Sequence, residues 1–194
     1  MNKKSFVIKS DKKKELPISC DYSYKEENKT IVIFCHGFKG FKDWGCWNLV
    51  ANYFVENGLN FLKFNFSHNG TSVDKLNHIS NFNSFRRNNY SIEVQDLRRV
   101  INYIKSPKSL LKHNDLCLIG DSRGGGIACL VTQYYDYITK LVTWASVVDF
   151  KDRFPDKSEL SIWKKVFRTF VCSSDKIDKG LGVVCVNIFL KFLR

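Results

Sequence analysis

The stretch LCLIGDSRGGGIACL, residues 116–130, runs from an apolar segment into a glycine-rich turn and back into an apolar segment. The apolar residues before Gly120 predict a buried strand, and the residues from Arg123 onward predict a helix. Between them, Gly120, Ser122 and Gly124 form the pattern Gly-x-Ser-x-Gly. At a strand-to-helix turn this pattern is typical of a nucleophile elbow, whose strained backbone projects the serine hydroxyl above the sheet. The stretch therefore predicts Ser122 as a candidate nucleophile.

The helix predicted after Ser122 would direct its free N–H groups and its positive dipole end toward the serine. An oxyanion forming on a bound carbonyl would then meet the N–H of Arg123. A phosphate-binding loop is the rival interpretation, because a glycine-rich turn at a helix N-terminus also binds anions. No Lys-Ser/Thr follows these glycines, and no G-x-G-x-x-G pattern is present. Both absences favour the elbow.

Predicted strands and helices alternate around this turn. Residues 5–24 predict two short antiparallel strands, and the polar stretch 67–91 predicts a loop with a helical turn or two. The alternation of apolar strands with helices indicates an α/β fold with a mostly parallel sheet and right-handed crossovers. Neither an internal repeat nor a linker divides residues 1–194, which predicts a single domain. The further predicted strands are 30–35, 59–66, 115–122 and 140–146, and the predicted helices are 47–58, 91–106 (with Ser91 as N-cap) and 123–135.

The composition narrows the classes of function. The formal net charge is +12, and the lysines are scattered, which favours a solvated basic surface over specific binding to nucleic acid. Seven cysteines, an odd number without a C-x-x-C pair, are typical of a reducing cytoplasm. We expect no signal peptide and no membrane span, because no apolar run has the required length. No motif predicts a cofactor or a metal site.

Three segments together resemble the α/β-hydrolase superfamily, in particular bacterial esterases and serine aminopeptidase-like hydrolases. They are HGFKGFKDWG (36–45), FNFSHNGTS (64–72) and GDSRGGG (120–126), and the resemblance runs from about residue 5 to about residue 165. It implies the α/β-hydrolase fold, a doubly wound sheet with an antiparallel N-terminal hairpin. It also implies a serine hydrolase with Ser122 as nucleophile, acting on a small ester or peptide. The backbone amides of Phe38 and Arg123 would form the oxyanion hole.

The family's catalytic triad is not complete in this chain. In the family, an acid and then a histidine follow the nucleophile along the chain. All four histidines of this sequence precede Ser122. His36 and His68 are doubtful substitutes, because in relatives the first orients the oxyanion loop and the second belongs to a structural turn. Asp149 is a conceivable acid, although it has no histidine to orient, while Asp121 and Arg123 are expected to pair with neighbouring loops.

The C-terminal part departs further from the family pattern. Residues of about 150–165 predict the start of a cap region, and about 166–194 form an atypical tail in place of the last strands. We hypothesise that the chain is a truncated or frameshifted hydrolase. The alternatives are that 180–194 is a genuine strand or packing helix, or a membrane anchor. The expected activity is absent or severely reduced. A pseudoenzyme that binds a small ligand or a protein partner is the alternative function, and an exposed strand at 140–146 predicts self-association.

Overall fold

The computed structural model of the protein describes residues 1–10, 15–27, 29–107, 109 and 111–150. In these ranges the chain alternates between strands and helices, as the hydrophobic pattern predicts. The strands are β1 (Asn2–Ile8), β2 (Ile18–Tyr24), β3 (Lys29–Cys35), β4 (Asn60–Phe64), β5 (His113–Asp121) and β6 (Ile138–Trp144). The helices are α1 (Trp47–Glu56), α2 (Phe82–Arg87), α3 (Tyr90–Lys105) and α4 (Arg123–Thr132).

The described strands form one mixed sheet in the order β1-β2-β4-β3-β5-β6. β1 pairs with β2 and β2 with β4 in antiparallel fashion, whereas β4, β3, β5 and β6 run parallel. The predicted α/β fold, with a mostly parallel sheet and an antiparallel N-terminal hairpin, is confirmed. This order has a consequence for the site, because β3 lies between β4 and β5. The loops that follow these three strands therefore emerge side by side at one edge of the sheet.

Helices cover both faces of the sheet, as expected for a doubly wound fold. Side chains alternate between the two faces along β3, so Ile33 belongs to one core and Phe34 to the other. Helices α3 and α4 pack on the first face, and α1 packs on the second through Trp47, Ala51 and other apolar residues. A strand buried on both faces explains why β3 reads as a continuous apolar run.

Some expectations about the elements differ from the structure or lie outside it; α4 ends at Thr132 rather than 135, and β6 spans Ile138–Trp144 rather than 140–146. The N-cap of α3 is Asn89, whose side chain accepts a hydrogen bond from the Ile92 N–H at 2.9 Å, so the prediction of Ser91 is wrong. Asn89 is the cap because its extended backbone lets the side-chain amide oxygen reach the first helical turn. Strand β4 ends at Phe64, earlier than predicted. The described residues end at Phe150, so the predicted cap start and the predicted tail lie outside them. Within the described ranges, no helix is long and apolar enough to cross a membrane.

Candidate active site

Ser122 lies in the turn between β5 and α4 with a left-handed backbone, φ 51° and ψ −116°. Such a conformation costs a residue other than glycine roughly 1–3 kcal/mol, so neighbouring contacts must hold it. The Ser122 N–H donates to the Trp144 carbonyl at 2.8 Å, and the Ser122 carbonyl accepts from the Val147 N–H at 3.1 Å. The end of β6 and the loop after it therefore support the strained turn.

The glycines of the elbow are explained by close backbone contacts. A Cβ atom on Gly120 would lie 2.4 Å from the Cα of Gly125, and one on Gly124 would lie 2.3 Å from the carbonyl oxygen of Cys35. Both distances are far below any normal carbon contact. The Gly-x-Ser-x-Gly pattern thus lets α4 begin directly against the end of β5 and against the end of β3.

A cavity of about 240 Å³ opens beside Ser122. Its walls are Ser122 and Asp121, the turn 37–40 after β3, and the indole rings of Trp44 and Trp47. The turn comes very close to the serine, because a Cβ atom on Gly37 would lie 3.2 Å from the Cβ of Ser122. A small apolar group with one polar centre next to Ser122 would fit this space.

The amides of Phe38 and Arg123 are candidate donors to an oxyanion. Among the described residues, no backbone carbonyl accepts a hydrogen bond from either N–H. Arg123 opens α4, so its N–H belongs to the first helical turn, which has no partner within the helix. Phe38 precedes Lys39, which takes φ 61°, in a tight turn closed by the Gly40 N–H and the Gly37 carbonyl at 3.0 Å.

The side chain of Arg123 points away from the cavity and into a buried cluster. Its Nε donates to a carboxylate oxygen of Glu93 at 2.7 Å. Its guanidinium lies over the rings of Tyr90, at 4.4 Å, and Phe38, at 5.1 Å. The expected pairing with a loop is therefore wrong for Arg123, since Glu93 belongs to the first turn of helix α3.

His36 follows β3 directly and is buried, with both ring nitrogens engaged. Its Nδ1 lies 2.8 Å from the Gly37 carbonyl oxygen, and its Nε2 accepts from the Phe66 N–H at 3.3 Å. Burial lowers the pKa of His36 to about 4, against the raising effect of the Gly37 hydrogen bond. The ring is therefore neutral at pH 7, with Nδ1 as donor and Nε2 as acceptor.

His68, Asp149 and Asp121 each have a different environment. The Nδ1 of His68 contacts the hydroxyl of Ser67 at 2.7 Å, and burial together with the charges of Arg87 and Arg99 lowers its pKa. Asp149 is exposed in the loop after β6. Asp121 lines the cavity, and burial raises the pKa of its carboxyl. In the ranges that the structure describes, no group of three or more histidine, cysteine or acidic residues could hold a metal ion.

Sequence reasoning missed two buried charge clusters next to the site. One is the Arg123–Glu93 pair, and the other joins Lys42 and Lys63 to Asp21 and Asp43. A signal existed for Lys63, because a lysine inside the apolar run of a strand buried on both faces needs a partner. The identity of that partner could not be read locally, since Asp21 lies on another strand.

Comparison with known proteins agrees with the fold. The family model described as serine aminopeptidase, S33, matches residues 26–178. A protein from Agrobacterium vitis is similar in structure, with a TM-score of 0.74, 14% identity, and coverage of 97% of this chain and 70% of that one. The α/β hydrolase GrgF from Penicillium has a TM-score of 0.63 and 15% identity, with coverage of 85% and 54%. Est1E from Butyrivibrio proteoclasticus has a TM-score of 0.52 and 17% identity, with coverage of 71% and 48%.

These structural likenesses establish the α/β-hydrolase fold. No curated protein sequence matches the chain significantly. The chain spans 54% of GrgF and 48% of Est1E, about half the length of each.

Proposed function

The chain belongs to the serine aminopeptidase S33 family of α/β hydrolases, and from that premise we propose that it is a serine hydrolase of esters or peptides with Ser122 as nucleophile. One observation carries the proposal. Ser122 takes a left-handed backbone at the strand-to-helix turn and lines a cavity. Gly37 lines the same cavity and lies close to Ser122. This is the geometry that a nucleophile elbow needs.

In the proposed reaction, the Ser122 Oγ forms a bond to the substrate carbonyl carbon. The negative charge that develops on the carbonyl oxygen is stabilised by the N–H groups of Phe38 and Arg123. The bond to the leaving alcohol or amine then breaks, and the proton of the serine hydroxyl passes to that leaving group. Water next attacks the acyl-serine, which releases the acid and restores the hydroxyl.

Efficient turnover requires a base that accepts the serine proton, and few side chains of this chain are candidates for that base. None of the four histidines follows Ser122 in the sequence. Both ring nitrogens of His36 are engaged by the backbone, which supports a positioning role for it rather than proton transfer. Removing a triad base slows hydrolases on the order of a million-fold in kcat, and the oxyanion donors alone retain ~10³–10⁴-fold over water. We therefore expect slow acylation and slower release.

The size and lining of the cavity support the proposal that a small acyl group is the part of the substrate that enters it. Trp44 and Trp47 supply apolar walls, and Asp121 and the backbone of the turn 37–40 supply the polar surface. At about 240 Å³ the space is smaller than a typical drug-sized pocket of roughly 300–1,000 Å³.

A ligand-binding pseudoenzyme is the second candidate, and the engaged state of His36 favours it. If no base reaches Ser122, the cavity and the oxyanion donors still form a binding site for a carbonyl compound. Saturable binding of an amide that resembles the ester, without any covalent product, would identify this case.

The proposed function is tested by acetylation with p-nitrophenyl acetate, followed by intact-mass and peptide mass spectrometry. We expect one acetyl group per chain, on Ser122, and its loss in Ser122→Ala. Ser146→Ala is the matched control, because the hydroxyl of Ser146 also lies next to the elbow, against Gly125. Labelling that persists in Ser122→Ala would refute Ser122 as the nucleophile.

We also propose that copies of the chain associate through β6. This strand pairs only with β5 among the described strands, and its residues Leu141 and Val142 are exposed. Exposed strand edges readily pair with other chains.

The five cysteines in the described ranges are free thiols, which supports a reducing, cytoplasmic location.

A further inference from the structure

The segment 37–42, which we name the oxyanion segment, connects β3 to the loop before α1 and forms one wall of the Ser122 cavity. It contains no helix or strand, so its shape depends on contacts with its surroundings. Lys39 in its middle takes a left-handed backbone, φ 61°, which costs energy for a lysine. The Gly40 N–H closes this turn on the Gly37 carbonyl at 3.0 Å, and contacts from outside the segment add to that internal hydrogen bond.

Two residues beyond β4 contact the backbone of the segment. The Asn65 Oδ1 accepts from the Lys42 N–H at 2.6 Å, and the Asn69 Nδ2 donates to the Gly40 carbonyl at 3.2 Å. The other side of the Asn69 amide is also engaged, because its Oδ1 accepts from the N–H and the hydroxyl of Thr71. The loop after β4 thus holds the loop after β3 through oriented amides.

The side chain of Lys42 supplies a third contact, at the end of the segment. Its Nζ donates to Asp21 Oδ2 on β2 at 2.7 Å and also to Asp43. Lys42 is only 3% exposed, and Asp21 is 2% exposed. Burying a lysine is costly, and apolar replacements of buried ion pairs are often neutral or stabilising. A role in geometry would explain why a charge occupies this position.

Lys42 does not line the cavity, so any effect on chemistry must pass through the segment. We propose that Lys42 and Asn69 are positioning residues that hold the oxyanion segment, and with it the Phe38 N–H, beside Ser122. The effect on acylation rests on the proposed function, whereas the effect on the shape of the segment does not. The two can be measured separately.

The test combines amide hydrogen exchange with acetylation by p-nitrophenyl acetate, each on the full chain. In Lys42→Met we expect the Gly40 amide, which donates to the Gly37 carbonyl at 3.0 Å, to exchange at least tenfold faster and Ser122 to acetylate at least tenfold more slowly. Lys42→Arg, which keeps the charge, should restore much of both. Lys63→Met is the control, because Lys63 is equally buried and joins the same carboxylates but lies on β4. It should lower global stability while exchange of the Gly40 amide stays within threefold of wild type.

A second variant keeps the proposal testable if Lys42→Met does not fold. Asn69→Asp preserves the shape of the side chain and its contact with Thr71 but removes the donor to the Gly40 carbonyl. We expect faster exchange of the Gly40 amide and slower acetylation here as well. Unchanged exchange in the folded variants overturns the inference, even if Ser122 is acetylated. Absent acetylation of the wild type refutes the proposed function and leaves the exchange result to decide the positioning role.

Discussion

The guanidinium of Arg123 and the carboxylate of Glu93 form a buried ion pair, with Nε and Oε2 2.7 Å apart. Arg123 is 9% exposed and Glu93 is 4% exposed. The pair links the residue after Ser122 to the first turn of α3, and Asn88 donates to the second carboxylate oxygen at 2.7 Å. One terminal nitrogen of Arg123 lies buried without a hydrogen-bond partner among the described residues.

Breaking this pair from one side should destabilise the protein strongly. We expect Arg123→Met and Glu93→Gln each to cost about 3–5 kcal/mol in the free energy of unfolding, because each leaves a buried charge unpaired. The double variant Arg123→Met/Glu93→Gln should cost much less than the sum of the two single variants. Urea denaturation measures all three. The control is Lys140→Met, which removes an exposed pair with Asp115 and should cost less than about 1 kcal/mol. Additive costs in the double variant would contradict the coupling.

Gly124→Ala should prevent stable folding or cost about 3 kcal/mol or more, since the new methyl group would meet the backbone of β3. Backbone atoms cannot move aside as a flexible side chain can. Gly45→Ala is the matched control, because Gly45 has open space around it and only a positive φ of 58°. It should cost about 1 kcal/mol. Thermal denaturation compares the two, and equal losses would mean that the packing of α4 against β3 is looser than described.

Asp96 makes stability depend on pH. Burial raises the pKa of its carboxyl to about 7, although the hydrogen bonds from Ser67 and the charge of Arg99 oppose this. The folded state therefore binds an additional proton between about pH 4 and about pH 7, so this group's contribution to stability falls as pH rises through that window. Asp96→Asn does not titrate. The difference in urea midpoint between wild type and variant should change across the window and stay constant above it. A constant difference at every pH would contradict the raised pKa.

His36 makes stability depend on pH with the opposite sign. Burial lowers its pKa from 6.5 to about 4, so the unfolded state binds more protons between those values. Its contribution is present above about pH 6.5 and is lost as pH falls toward 4. His36→Asn should lower stability at pH 7 by about 1–3 kcal/mol, because the Phe66 N–H loses its acceptor, and should flatten the decline in acid. Urea titrations at several pH values test both statements, and an unchanged acid slope would argue against a buried neutral imidazole.

Association through β6 predicts that light scattering reports a mass that rises with concentration in the micromolar range. Val142→Lys, at an exposed position on β6, should reduce the association, since edge charges oppose pairing between chains. Val148→Lys is the control, because Val148 is exposed but lies beyond the strand. A monomer at all concentrations would contradict the proposal, and so would an equal effect of both variants.

Much of the fold follows from local patterns in the sequence. The apolar run before Gly120 and the small residues after Ser122 predict the strand, the turn and the helix in that order, and the structure confirms them. The bounds of the elements do not follow from local patterns alone, as Ser91 and Asn89 illustrate. Both can cap a helix, and only the extended backbone of Asn89 decides between them.

The sequence by itself determined the elements and the strained turn around Ser122, because hydrophobic period, glycine and turn chemistry act over a few neighbouring residues. The tertiary structure alone decided what surrounds the turn. Gly37 against Ser122, Lys42 against Asp21 and Arg123 against Glu93 are contacts between distant parts of the chain. They exist because β3 lies between β4 and β5, and that order depends on the packing of the whole sheet rather than on any local pattern.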